Sequence, residues 1–211
     1  MQHTATKQLV LYAVFVGMIF LLGLTPLGFI TLPIAAITTV HVPVIVGAYR
    51  FGPKGGAILG FFFGLTSLIS CFLRPDAIAA IVLGTNSGFG IYNLLLIVMI
   101  LFVPRVLVGV FSALIYNGLR RKNETVAMGV AAFCGSMANT ILLLGGLYVF
   151  AFQATGTAFG LAEGFTAAQF LKILLGIVTV NGVVEALAAV LICTALGRAQ
   201  LHFMERAGEK K

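Results

Sequence analysis

From Gln8 to Tyr49 the chain carries no Asp, Glu, Lys or Arg. No water-facing surface can be assembled from such a segment, since ordinary soluble domains carry about 25% charged residues. The rest of the chain continues the pattern. Only 9% of the 211 residues are charged, 60% are hydrophobic, and the mean hydropathy is +1.11. A soluble enzyme, a nucleic-acid module and a disordered tail are all excluded on this ground. The solvent is a bilayer. A spanning helix takes about 20 residues, so the length allows roughly six to eight crossings.

The uncharged stretch is too long for one span. Thr25-Pro26-Leu27-Gly28 and Thr31-Leu32-Pro33 break it, because Pro lacks an N–H donor and disfavours helix at the residue before it. The expected helices cover 8–24, 34–49, 55–73, 91–119, 125–151 and 168–197. Residues 77–92, with Gly84, Thr85, Asn86, Ser87 and Gly88, read as an outer loop or re-entrant segment. The expectation is a single all-α polytopic membrane domain over 1–211 with six transmembrane helices. No small-residue cleavage site follows Lys7, so the first helix is read as retained.

Charge placement gives the orientation. Lys7, Arg50, Lys54, Arg120, Arg121, Lys122, Arg198, Arg206, Lys210 and Lys211 fall on one side of a six-span chain. Arg74 and Lys172 fall on the other, offset by Asp76 and Glu163. Positive loops stay inside, so both termini are expected in the cytoplasm. The net charge of +7 is thereby a topology signal, and no nucleic-acid partner is implied.

Ionisable side chains at membrane depth are costly and mark function by default. Three qualify: His41, Arg105 and Glu185. At about 1.5 Å per residue, Arg105 lies ~22 Å from Arg120 and Glu185 ~20 Å from Arg198. Asn139 and Asn181 fall at ~22–26 Å and His41 at ~14 Å by the same rise. Polar groups at matching depth are what a central cavity requires. Asn181 and Glu185 stand i,i+4 and share a helix face. Asn139 lies on a small-residue stripe with Ala132, Gly135 and Gly146. Arg105 has the planar fork that holds a carboxylate. Plainer readings stand beside these: an Arg105–Glu185 pair neutralising itself, Asn139 and Asn181 as interhelical glue, and His41 bonding a backbone carbonyl.

Two further patterns concern packing. Ala13 and Gly17 form small-xxx-small in the first span, and Gly56, Gly60 and Gly64 form a GxxxG series in the third. Both allow close helix approach. The series is expected to pack internally, whereas Ala13 and Gly17 are candidates for a partner protein.

Catalytic signatures are missing. Gly52-Pro53-Lys54-Gly55-Gly56 has P-loop residue types without P-loop spacing, and HExxH and GxSxG do not occur. Cys71, Cys134 and Cys193 lie far apart in apolar stretches, so neither a disulfide framework nor a metal site is suggested. The best enzyme reading, Ser67 or Ser70 with His41, is thin. No cofactor is expected.

Several segments together resemble a known family. Thr25-Pro26-Leu27-Gly28-Phe29-Ile30, His41 through Ala48, Phe51 through Gly60, Pro104 through Gly109, Gly135 through Thr140 and Asn181 through Ala186 look like substrate-binding S components of energy-coupling factor (ECF) vitamin transporters. The match looks closest to the pantothenate-specific branch. It extends over roughly residues 10–195. The resemblance implies six spans, vitamin capture outside a prokaryotic plasma membrane, and assembly with a membrane coupling subunit and two cytoplasmic ATPases. It also implies that Ala13 and Gly17, with Gly in place of the usual second Ala, meet the coupling subunit. Pantothenate, with a carboxylate, an amide and two hydroxyls, suits the polar set: Arg105 for the carboxylate, Asn139, Asn181 and Glu185 for amide and hydroxyls, His41 lining the pocket. The 74–92 and 152–168 loops would be lids. A different vitamin, or a self-sufficient small transporter or channel, remains an alternative.

Overall fold

A computed structural model of the chain describes residues 2–31, 36–74, 77–84, 90–162 and 164–206. Pro33, Asp76, Thr85 to Gly88, Glu163, Lys210 and Lys211 lie outside the described residues, and with them part of the loop and charge readings above. Helix α1 spans Gln2–Leu24. The Thr25 hydroxyl donates to the Leu21 carbonyl at 2.7 Å, and a short 3-10 turn, Pro26–Gly28, ends the run. Strands β1 (Phe29–Thr31) and β2 (Ala36–Thr38) then pair antiparallel, with Phe29 opposite Thr38 and Thr31 opposite Ala36.

The fold is otherwise helical, and this pair corrects one expectation: the helix expected over 34–49 starts at His41. The residues leading into it, Ile37-Thr38-Thr39-Val40, are all β-branched and suit extended backbone. Thr39 closes the hairpin through its N–H to the Gly28 carbonyl (3.0 Å) and its hydroxyl to the Leu27 carbonyl (2.6 Å). Pro43 falls in the first turn of the helix, where its missing N–H has no intrahelical partner to lose.

Helix α2 runs His41–Leu73 but breaks at Gly52, where φ is +70° and ψ −168°. Only Gly takes that conformation readily, and Pro53 restarts the helix with its preset φ. The break reverses the chain. A Cβ added at Gly47 would stand 2.3 Å from Leu59 Cδ1, although a straight helix would separate these residues by about 18 Å. The arms 41–51 and 53–73 therefore lie side by side.

Short helix α3 (Ala77–Leu83) leads to α4 (Ile91–Leu119), which has a π-helical stretch at Ile97–Phe102. Helix α5 (Glu124–Phe150) is capped by the Asn123 side chain, which accepts from the Val126 N–H at 3.1 Å. Another short helix, α6 (Phe152–Ala158), precedes α7 (Ala167–Phe203), which opens on a Thr166–Gln169 capping box and carries a second π stretch at Val178–Gly182. Among the described residues, five helical runs are long and apolar enough to cross a membrane, the folded-back α2 counting once. The protein is a multi-pass membrane protein.

Packing centres on α2, α4 and α5. Gly56, Gly60 and Gly64 lie on the backbone of α4, so that an added Cβ would come within 2.3 Å of the Gly109 carbonyl oxygen, 2.3 Å of the Arg105 carbonyl oxygen and 2.8 Å of Phe102 respectively. Internal packing is thus the use of this series. Gly135 sits against Ser112 and Ile45, so the small stripe of α5 also serves close helix approach.

Candidate functional site

The arms of α2, together with α4, α5 and α7, surround one buried polar cluster. His41, the first residue of α2, is 1% exposed. Its Nδ1 comes within 3.3 Å of Glu185 Oε1 from α7, without hydrogen-bond alignment. The Thr38 side chain, at the end of β2, interacts with the same carboxylate. The hairpin and the helix it enters therefore both meet Glu185.

Arg105 reaches the cluster from α4. It lies in Coulombic range of both His41 and Glu185. Its guanidinium stands over the Phe63 ring, 5.4 Å from the centroid, and Nη1 donates to the Ile100 carbonyl at 2.9 Å. That carbonyl lacks its α-helical donor, because the residue four positions on is Pro104. The arginine side chain thus bonds a carbonyl whose α-helical donor position is a proline.

Helix α5 supplies Ser136 and Asn139. Its register against α4 is marked by Gly135 beside Ser112 and Gly146 beside Ile100, which sets Asn139 between them, near the level of Arg105. Gly182 of α7 packs on Thr140 and Met137, so Ser136 and Asn139 also stand near the level of Glu185.

The cluster is short of partners. Both ring nitrogens of His41, Arg105 Nε, Glu185 Oε1, Ser136 Oγ and Asn139 Oδ1 are buried without a hydrogen bond. They make up six of the eight such side-chain atoms among the described residues. Each unsatisfied buried group costs about 1–3 kcal/mol, and native structures keep few of them. Their concentration near one level makes this cluster the candidate site.

The sequence-derived candidates divide accordingly. His41, Arg105, Glu185 and Asn139 are buried in or beside the cluster. Asn181 is only half-buried, on the π stretch that widens the helix just before Glu185. Thr38 and Ser136 were missed: isolated hydroxyls in apolar segments carry no signal of their own, and Thr38 acts only through the unforeseen hairpin. Ala13 and Gly17 lie on an exposed face of α1 beside exposed Val10, Val14 and Leu21, and a Cβ at Gly17 would meet open space.

The serines considered with His41 bond carbonyls of the helices. Ser67 donates to the Phe63 carbonyl of its own helix and Ser70 to the Gly23 carbonyl of α1. Over 152–170 the chain is knit by stacked rings: Tyr148 with Phe170, and Phe152 with Phe165. Gly156 faces the Phe165 ring closely enough to leave no room for a Cβ.

Residues 7–197 match the family described as ECF transporter, substrate-specific component. A protein named pantothenic acid transporter PanT, from Lactococcus lactis subsp. cremoris, is 31% identical over 168 residues, which cover 75% of this chain and 74% of that protein. One named pantothenate transporter PanT, from Leuconostoc mesenteroides subsp. mesenteroides, is 28% identical over 219 aligned positions spanning both chains in full.

Proposed function

Because the chain belongs to the family of ECF transporter substrate-specific components, a family of transport subunits rather than enzymes, we propose that it captures pantothenate with high affinity. It does so outside a prokaryotic plasma membrane and delivers the vitamin inward when joined to a membrane coupling subunit and two ATPases. The observation that carries this reading is the set of unpartnered polar atoms around Arg105, buried in the helix bundle. Arg105 pairs with the vitamin's carboxylate, an interaction strengthened by burial. Asn139 and Ser136 bond its amide and hydroxyls beside Glu185 and His41. Asn181 joins them from the rim. The relatives' names support the choice of vitamin.

Counting the hairpin with the short arm 41–51 as one crossing and the arm 53–73 as another gives six spans, with both termini in the cytoplasm beside the basic residues. The described parts of 74–92 and 152–168 then act as lids, together with strands β1 and β2. Ala13 and Gly17 lie on the face of α1 that meets the coupling subunit. Their exposure supports this assignment.

Mass spectrometry of ligand retained through purification tests the vitamin. Pantothenate is expected, and retention of another vitamin contradicts the choice. Uptake into proteoliposomes is expected only with coupling subunit, ATPases and ATP. Uptake by the chain alone would establish a self-sufficient transporter instead. Gly17→Trp is expected to leave vitamin binding intact while blocking assembly, read by co-purification of the coupling subunit. Assembly retained with binding lost would reverse the docking assignment.

A further inference from the structure

We infer that Pro104 is a positioning residue for the binding site, acting through Arg105. In an α-helix the carbonyl of Ile100 would accept from the N–H of residue 104, and proline has none. The helix around this point is not regular: Ile97–Phe102 is π-helical, and the Val103 N–H reaches back five residues to the Val98 carbonyl. The Ile100 carbonyl faces the cluster and takes Arg105 Nη1 at 2.9 Å. Gly60 holds the backbone in place from the other side, because its Cα packs against the Arg105 carbonyl closely enough that a Cβ would stand 2.3 Å away. The Phe63 ring supports the guanidinium at 5.4 Å from its centroid.

These contacts fix the plane of the guanidinium before any ligand arrives. The Nη1 edge is tied to the chain, while Nε is buried and unpartnered. A carboxylate meeting the Nε side finds donors already oriented, so less freedom is lost on binding. With an N–H at position 104, resumption of the α-helical register there would give the Ile100 carbonyl a backbone donor that competes with Arg105 Nη1. The tether of Arg105 is then weakened, though not its charge.

The consequence is selective. It rests on the reading of Arg105 as the carboxylate partner, and the test separates the two. Affinities are measured by calorimetry for pantothenate and for its uncharged alcohol analogue, in which the carboxylate is replaced by a hydroxymethyl group. Pro104→Ala is expected to weaken pantothenate binding about tenfold, a step of about 1.4 kcal/mol, and to leave the alcohol nearly unaffected. Pro104→Ser, which restores the N–H equally, is expected to repeat this ratio change. In an Arg105→Ala background, Pro104→Ala is expected to have no further effect on pantothenate, since coupled residues are not additive.

Equal weakening of both ligands, or the same tenfold loss without Arg105, overturns the inference and leaves Pro104 a structural residue. If Arg105→Ala itself leaves the preference for pantothenate over the alcohol unchanged, the carboxylate assignment fails and takes the Pro104 inference with it. If Arg105→Ala removes the preference and Pro104→Ala does not, only the positioning role is lost.

Discussion

Two regions of this bundle bury polar groups, and they treat them differently. Toward the end marked by Tyr49, Tyr116 and Glu124, buried polar groups are matched. Tyr49 donates to the Met128 carbonyl at 2.8 Å, Tyr116 to Glu124 Oε1 at 2.6 Å, and Ser112 to the Ala131 carbonyl at 3.3 Å; Thr194 Oγ1 is an exception. Around Arg105 the ratio inverts: six buried side-chain atoms there lack a hydrogen bond, although His41 Nδ1 and Glu185 Oε1 stand 3.3 Å apart. A matched polar group in a low-dielectric interior rigidifies the fold. An unmatched one destabilises the empty state and gains when a ligand completes it. On the proposed reading, the difference separates residues that hold the protein together from residues that hold the ligand.

The strongest way to break this comparison is to attack the shared wall. Gly60→Leu drives a side chain into the α4 backbone at Arg105, where neither backbone can yield. A loss of about 3 kcal/mol or more in stability is expected, seen as lower yield and lower thermal unfolding temperature in detergent. A well-folded variant would show that the helices separate easily.

Arg105→Ala comes next. Charged hydrogen bonds contribute about 1.5–3 kcal/mol, so pantothenate affinity is expected to fall roughly 10- to 150-fold. Arg74 binds the Gly23 carbonyl at 3.2 Å, away from the cluster, and Arg74→Ala is expected to change affinity less than about twofold. Equal effects of the two would show that the carboxylate partner is misassigned.

The sharpest contrast pairs two small changes. Tyr116→Phe removes a matched bond and is expected to cost about 1 kcal/mol of stability with binding unchanged. Ser136→Ala removes an unmatched group, so the ligand-free protein is expected to keep or gain stability while binding weakens about fivefold. Unfolding curves with and without pantothenate read both effects. A stability loss from Ser136→Ala would place that hydroxyl among the structural groups.

Much of this division was legible in the sequence, for physical reasons that differ by residue. His41, Arg105 and Glu185 stood out because ionisable groups in apolar helices are expensive enough to be rare. Gly56, Gly60 and Gly64 announced close packing by their spacing alone. The hairpin was not legible, since three-residue strands leave no periodicity and its β-branched lead-in merges with the helix that follows. The π stretches were equally silent, although Pro104 marked the spot. Asn181 looked equivalent to Asn139 by residue type and depth; burial separates them. The Ile100–Arg105 bond depends on a carbonyl direction that no side-chain pattern encodes.

The central claim is that the unmatched cluster is completed by pantothenate. Calorimetric titration of the purified chain, without coupling subunit, ATPases or ATP, tests it most directly. Saturable, tight binding of pantothenate that collapses in Arg105→Ala is the predicted result. Absence of pantothenate binding by folded protein, or undiminished binding by Arg105→Ala, would contradict it.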